Sequence, residues 1–191
     1  MHAARDLFLL IGVLWVAWLA YWIYASRGVK AAVEAEGWRS RLVYSVPLWI
    51  AAILLFDRHL GPFLDARLYP FQVWAVALGT LVTAAGIALA IWARVALGGN
   101  WSADVTVKEG HELIRTGPYA LSRHPIYTGL ALAILGTAFA VGEARALIAL
   151  VLVVGSFWYK MGVEEAAMRR TFGAAYDDYS RRVKALIPYV L

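Results

Sequence analysis

The chain has 191 residues, of which 62% are hydrophobic, and it carries no cysteine and a net charge of +5. Its mean hydropathy of +0.64 is far above that of a water-soluble domain of this size, so the composition excludes an ordinary soluble enzyme and indicates a membrane protein. Without cysteine, the chain has no disulfide, thiolate nucleophile, iron–sulfur cluster or cysteine zinc site. Its basic residues flank apolar runs, which indicates orientation in a bilayer and not binding of nucleic acid.

Three apolar runs in the N-terminal half are predicted to cross a bilayer, which takes a helix of about 20 residues. They span residues 7–24, 42–56 and 71–93, and Pro47 interrupts the second. The first run could be a cleaved signal peptide. It is long for one, however, and it ends in the interfacial aromatic residues of 21–24, so we expect it to remain in the protein.

The third run carries small residues at spacings that let another helix approach closely. Gly79 and Thr83, and then Thr83 and Ile87, lie along one side of a helix. In the C-terminal half, the apolar runs 126–141 and 146–163 are separated by only a few residues. These two runs are therefore predicted to form an antiparallel helical hairpin.

The C-terminal segment has a different, amphipathic pattern. Phe172, Tyr176, Tyr179 and Val183 recur at helical spacing with charged residues between them. This pattern predicts an amphipathic helix that lies on the membrane surface or against a neighbouring loop, and that ends at Pro188.

The predicted fold is all-α, a polytopic membrane protein with about five transmembrane helices in one domain of residues 1–191. Residues 1–93 supply three N-terminal transmembrane helices, and residues 94–191 hold the remaining helices and the polar motifs. Most of the 18 Lys and Arg residues fall on the side shared by the first connector, the polar region before Pro125 and the C-terminus. By the positive-inside rule, the N-terminus is predicted to lie outside and the C-terminus in the cytoplasm.

A polar segment at residues 117–129 stands between long apolar runs and reads G-P-Y-A-L-S-R-H-P-I-Y-T-G. Pro118 and Pro125 each fix φ and remove a backbone donor, and each restricts the residue before it. A continuous helix through residues 117–125 is therefore not expected, and we predict a rigid loop that enters a helix.

Ionisable residues near a membrane interface are costly to bury, and this marks them as functional candidates. Simpler explanations compete: Arg94 and Lys160 could snorkel to the interface, and ion pairs with Arg123 and Lys160 could account for Glu164 and Glu165. No metal site is predicted, because the chain lacks H-E-x-x-H and paired histidines. Residues 98–100 lack the strand and spacing of a phosphate-binding loop. The candidates are His111, Arg123, His124, Lys160, Glu164 and Glu165.

Three motifs follow one another along the C-terminal half. The first, at residues 110–129, reads G-H-E-L-I-R-T-G-P-Y-A-L-S-R-H-P-I-Y-T-G, and the second is the pair Glu164-Glu165 after an apolar run. The third, at residues 172–183, reads F-G-A-A-Y-D-D-Y-S-R-R-V and is followed by Ile187-Pro188. Together they resemble the isoprenylcysteine carboxyl methyltransferase family over roughly residues 94–188. The resemblance implies a prokaryotic integral membrane enzyme that transfers a methyl group from S-adenosyl-L-methionine to a lipophilic acceptor entering from the membrane. It implies no particular oligomeric state.

The resemblance also assigns roles to single residues. Arg94 and Lys160 match positions that orient the substrate, although the match at Arg94 needs a gap and Lys160 stands where eukaryotic members have arginine. Asp104 lies near a further cofactor position, and its role and that of Glu165 stay open. The positions implied to bind the cofactor are His111, Glu112, Leu113, Ile114, Tyr119, Arg123, His124, Pro125, Ile126, Tyr127 and Glu164.

The sequence leaves the acceptor open. The favoured acceptor is the carboxylate of a prenyl thioether such as isoprenylcysteine, which is already ionised at neutral pH and needs no base. A phospholipid or other lipid amine would need a base, for which His124 or Glu165 is a candidate. Further alternatives are an NADPH-dependent sterol-type reductase, with Arg115 and Arg123 as phosphate partners, and a non-enzymatic scaffold.

Overall fold

The computed structural model describes residues 2–30, 32–57, 59–102, 106–108 and 112–190. This part of the chain is mainly helical, as predicted, and four of its helices are long and apolar enough to cross a membrane. The fourth helix in chain order is shorter but also apolar. The helices are α1 (His2–Ala25), α2 (Trp38–Phe56), α3 (Val73–Leu97), α4 (Pro125–Val141), α5 (Ala144–Phe172) and α6 (Ala174–Arg182).

Short non-helical elements connect the helix ends on one face of the bundle. Strand β1 (Ala32–Ala35) pairs antiparallel with strand β2 (Thr106–Lys108), a pairing that the sequence pattern did not predict. Three 3₁₀ turns cover Ser26–Gly28, Gly98–Asn100 and Gly117–Ala120. Because β1 lies in the first connector and β2 in the region before α4, the pairing brings these two segments to the same side, as the five-helix arrangement required.

The ends of the last two helices differ from the prediction. Helix α5 continues past the apolar run 146–163 to Phe172, because the residues after that run are strong helix formers although they are polar. Gly173, with φ 51°, then ends α5. The amphipathic helix is correspondingly short, and it stops at Arg182 and not at Pro188.

Helices α3 and α4 pack with their backbones in close contact, which confirms the small-residue face predicted for α3. A Cβ atom on Gly86 would lie 2.4 Å from the Ala133 nitrogen, and one on Gly129 would lie 2.6 Å from the Ala90 nitrogen. At both positions, any residue other than glycine would collide with the backbone of the facing helix. Since lipid supplies no hydrophobic drive between helices, the pair is held by this close packing and by the hydroxyl of Thr83, which lies 3.2 Å from the Ala133 carbonyl and from Thr137 Oγ1 of α4.

The predicted helical hairpin is present and places the two halves of the site. Gly142, in the left-handed conformation with φ 64° and ψ 30°, joins α4 to α5. Helix α4 packs mainly on α3, whereas α5 packs mainly on α2. The segments that lead into α4 and out of α5 therefore lie at the same end of the bundle.

Candidate functional site

A cavity of about 330 Å³ opens at the end of the bundle that carries the polar segment. Its walls come from all six helices, with α3 contributing only its last residue, and from the chain that follows α3, so it has a polar part near the loops and an apolar part between helices. A volume of this size is typical of small-molecule sites. Its apolar part is lined by Trp18, Trp22, Leu48, Leu97, Trp101, Leu130 and Phe157.

The loop before α4 is held in place from both sides. Pro118 and Pro125 are fully buried, and Pro125 is the first residue of α4, where a missing N–H costs nothing. The Tyr179 hydroxyl donates to the Tyr119 carbonyl at 2.6 Å. The His124 N–H donates to the Ala185 carbonyl at 3.0 Å. The residues after α6 thus run beside the loop and fix it against the bundle.

His124 lies between two carboxylates. Its Nε2 is 3.1 Å from Glu165 Oε1, its Nδ1 is 3.5 Å from Glu164 Oε2, and the side chain is 8% exposed. Burial by itself lowers the pKa of His124, but the hydrogen bonds to Glu164 and Glu165 outweigh it, so the pKa is above its usual value. The imidazole therefore joins two neighbouring acids of α5, Glu164 and Glu165, through its two ring nitrogens.

Glu165 does not line the cavity and forms an ion pair with the loop. Arg123 Nη2 lies 2.6 Å from Glu165 Oε1, and both side chains are 12% exposed. The same guanidinium donates to the carbonyls of Ser180 and Val183 at 3.2 and 2.6 Å. Arg123 therefore ties the loop, α5 and the end of α6 together, which gives Glu165 a structural partner.

Glu164, one residue earlier, lines the cavity. The Tyr127 hydroxyl donates to Glu164 Oε1 at 2.5 Å, and the Tyr127 ring stacks on Phe157 with 4.8 Å between centroids. One helical turn before Glu164, Lys160 also lines the cavity. The polar part of the cavity thus offers a carboxylate and an ammonium group on the same face of α5.

The structure brings most of the predicted site residues to this cavity. Pro125 lies behind the wall, buried at the start of α4. His111 and Asp104 lie outside the described residues. The predicted residues that line the cavity are Glu112, Leu113, Ile114, Tyr119, Arg123, His124, Ile126, Tyr127, Lys160 and Glu164.

Arg94 is placed differently from the other predicted residues. It is 3% exposed, does not line the cavity, and donates to the carbonyls of Gly98 and Ala25 at 2.8 and 2.5 Å. Its guanidinium also stacks over the Trp101 ring, 4.5 Å from the centroid. In this position Arg94 links the end of α1 to the end of α3.

Several cavity residues were missed by the sequence reasoning. Trp18 and Trp22 are among the aromatic residues of α1, where a pattern of interfacial aromatics is expected in any membrane helix. Tyr176 and Tyr179 were placed on an amphipathic face, but only the structure shows that this face covers the cavity. Asn100 belongs to a segment that matched no motif, so no sequence signal pointed to it.

Three comparisons with known proteins agree with one another. The family model described as phospholipid methyltransferase matches residues 74–175. The probable protein-S-isoprenylcysteine O-methyltransferase of Oryza sativa subsp. indica is 28% identical over 132 residues, covering 66% of this chain and 69% of its own length. The protein-S-isoprenylcysteine O-methyltransferase of Schizosaccharomyces pombe is 33% identical over 101 residues, covering 51% of this chain and 43% of its own length.

A solved structure shows the same fold. The eukaryotic intramembrane Ras methyltransferase ICMT (isoprenylcysteine carboxyl methyltransferase) matches with a TM-score of 0.54 and 24% identity. The match covers 83% of this chain and 55% of that one. The chain therefore spans about half the length of that protein, and the likeness concerns the arrangement of helices.

Proposed function

Because the chain belongs to the phospholipid methyltransferase family, in the group of the isoprenylcysteine carboxyl methyltransferases, we propose that it methylates a lipophilic acceptor inside the membrane with S-adenosyl-L-methionine as donor. The observation that carries this proposal is the two-part cavity. Its polar part holds Glu164 and His124, and its apolar part lies between membrane helices. One compartment thus suits a water-soluble cofactor and the other suits a lipid.

The residues of the polar part fit the cofactor. S-adenosyl-L-methionine supplies an electrophilic methyl group on a sulfonium, and it also carries an ammonium, a carboxylate, a ribose and an adenine. Glu164 can accept hydrogen bonds from the ammonium or the ribose hydroxyls, and His124 and Tyr127 hold that carboxylate in place. The aromatic rings of Tyr119 and Tyr127 provide faces that favour a neighbouring cation.

The residues of the apolar part fit a hydrocarbon-bearing acceptor. Trp18 and Trp22 of α1 and Leu48 of α2 line it, so a prenyl chain bound there would be covered by side chains from two membrane helices. Lys160 lies at the polar side and can orient a carboxylate as a point charge. Arg94 has its guanidinium on two backbone carbonyls, so we assign the orientation of the acceptor to Lys160.

The carboxylate of a prenyl thioether is the acceptor that this arrangement supports best. A lipid amine would need a base, but both ring nitrogens of His124 already face the carboxylates of Glu164 and Glu165, and Glu165 is paired with Arg123. A carboxylate needs none, since it is ionised at neutral pH. In an NADPH-dependent reductase, Arg123 would have to bind a phosphate of the cofactor. Its guanidinium is instead paired with Glu165.

The first test is calorimetric titration of the detergent-solubilised protein with S-adenosyl-L-methionine, with NADPH in parallel. We expect binding of the former, and Glu164→Gln should weaken it at least about tenfold, because a charge-assisted hydrogen bond contributes about 1.5–3 kcal/mol. Asp177→Asn removes a carboxylate of α6 that is 51% exposed and serves as control. Binding of NADPH alone, or parent-like binding by Glu164→Gln, would refute the assignment.

Methyl transfer is then assayed with isoprenyl thioether acids and lipid amines as acceptors. Product from the acids alone supports the carboxylate assignment. Product from the amines alone would refute it and leave the cofactor assignment standing.

The protein is an integral membrane protein, and we propose that it lies in a prokaryotic cell membrane with its N-terminus outside and its C-terminus in the cytoplasm. The distribution of Lys and Arg supports this orientation. The chain has no cysteine, so the single variants His59→Cys and Ala174→Cys each provide a unique label. Both positions are exposed, and they lie at opposite ends of the bundle. An impermeant maleimide applied to intact cells should label only the former, and the reverse pattern would overturn the proposal.

A further inference from the structure

Asn100 is a buried polar residue of the cavity wall that the proposed function does not use. It ends the 3₁₀ turn Gly98–Asn100 after α3, is 8% exposed and lines the cavity. Glu164, on α5, lines the same cavity, so one ligand can contact both residues. A side-chain amide in such a place needs partners for both of its ends.

The orientation of this amide follows from its neighbours. Lys30 Nζ lies 3.0 Å from Asn100 Oδ1, and the backbone nitrogen of Glu112 lies 3.4 Å from the same atom. An ammonium and a peptide N–H can only donate, so the atom that faces both must be the amide oxygen. The Nδ2 group then points the other way, and among the described residues it donates to no protein acceptor.

We propose that Asn100 Nδ2 donates a hydrogen bond to the bound methyl donor, which makes Asn100 a cofactor-binding residue and Lys30 the residue that positions it. The inference rests on the proposed function. The acceptor is an sp² atom of S-adenosyl-L-methionine, either a carboxylate oxygen or an adenine nitrogen, since both accept hydrogen bonds in the plane that an amide offers. The first connector thereby contributes to cofactor binding through Lys30, although none of its described residues lines the cavity.

Two substitutions at this position separate the donor from the rest of the side chain. Asn100→Asp keeps an oxygen for Lys30 and Glu112 but replaces the donor with a second acceptor and adds a negative charge, whereas Asn100→Ala removes the donor without adding charge. We expect each variant to bind S-adenosyl-L-methionine at least about tenfold more weakly by calorimetry. Thermal unfolding without ligand checks the fold, and Asn100→Asp should unfold at the parent temperature because the bonds to Lys30 and Glu112 persist.

A second ligand identifies the acceptor atom. 5′-Methylthioadenosine lacks the amino-acid part of the cofactor, so weaker binding of both ligands places the acceptor on the adenine, and weaker binding of the full cofactor alone places it on the carboxylate.

Three outcomes contradict the inference, in different ways. If both variants bind like the parent, Asn100 does not touch the cofactor. If Asn100→Asp binds weakly and Asn100→Ala binds like the parent, the loss is charge repulsion and no donor is involved. If the parent itself binds no S-adenosyl-L-methionine, the proposed function fails and this inference fails with it.

Discussion

The ammonium nitrogen of Lys160 lies 4.7 Å from the centroid of the Tyr44 ring, which joins α5 to α2 beside the cavity. Tyr44 is 4% exposed, and its hydroxyl donates to Glu36. The Tyr127 ring lies 5.9 Å from the same nitrogen on another side. An ammonium between two aromatic faces is stabilised as a cation and restricted in position. Helix α2 therefore helps to place the group to which we assign the orientation of the acceptor.

Removal of the Lys160 charge should impair use of the acceptor more than binding of the cofactor. For Lys160→Met we expect kcat/KM for a carboxylate acceptor to fall about 30-fold, which corresponds to the loss of a charge-assisted hydrogen bond. The dissociation constant of the cofactor, measured by calorimetry, should change less than about threefold, because the cofactor contact is assigned to Glu164, which keeps its hydrogen bond from Tyr127.

The contribution of α2 is measured with two variants at Tyr44. Tyr44→Leu removes the ring and should lower kcat/KM several-fold, whereas Tyr44→Phe keeps the ring and serves as control.

If Lys160→Met retains full activity, the acceptor is not oriented by the Lys160 ammonium group.

The close contact between α3 and α4 predicts strong sensitivity at its glycines. Gly86→Ala would place a methyl group 2.4 Å from the Ala133 nitrogen, in contact with backbone that cannot move without separating the helices. We expect a loss of about 1–3 kcal/mol or more of stability, measured as thermal unfolding in detergent. Gly155→Ala in α5 is the matched control, because nothing lies within 4 Å of its new methyl group. Equal unfolding temperatures for the two variants would contradict the packing described.

Arg123 should matter for stability more than for binding. Arg123→Met removes the partner of a largely buried carboxylate and two hydrogen bonds to the end of α6, so we expect destabilisation of about 3 kcal/mol. Arg181→Met changes an arginine that is 71% exposed and should be nearly neutral. A parent-like unfolding temperature for Arg123→Met would show that the loop is held by other contacts.

The imidazole of His124 predicts a pH dependence of stability. Its pKa is higher in the folded protein than in the unfolded chain, so its stabilising effect is complete below about pH 6.5 and is lost as the pH rises through the folded value. We expect the unfolding temperature of the cofactor-free protein to fall as the pH is raised from about 6 to 9. Burial raises the pKa of Tyr179 to about 12, so this tyrosine does not titrate in the range. The fall should be smaller in His124→Gln, and an identical pH profile would exclude His124 as its source.

Much of the candidate site was visible in the sequence because its signals are local. Hydropathy over about 20 residues is enough to show helices that cross a membrane, and the two prolines of residues 117–129 are enough to show a loop that enters a helix. The pairing of Glu165 with Arg123 was among the explanations that the charges suggested. Helix ends were less predictable, because α5 continues through polar residues that favour a helix as strongly as the apolar ones before them.

The sequence by itself determined that this is a membrane protein, which segments form its apolar helices and where the polar residues of the candidate site begin. It did not determine which side chain faces the cavity, because neighbouring residues of a helix point about 100° apart and their partners come from distant parts of the chain. Only the tertiary structure decided that Glu164 faces the cavity while Glu165 faces Arg123. It also decided that Arg94 joins two helix ends and that Asn100 reaches the cavity wall, since both depend on where α1 and the first connector pack.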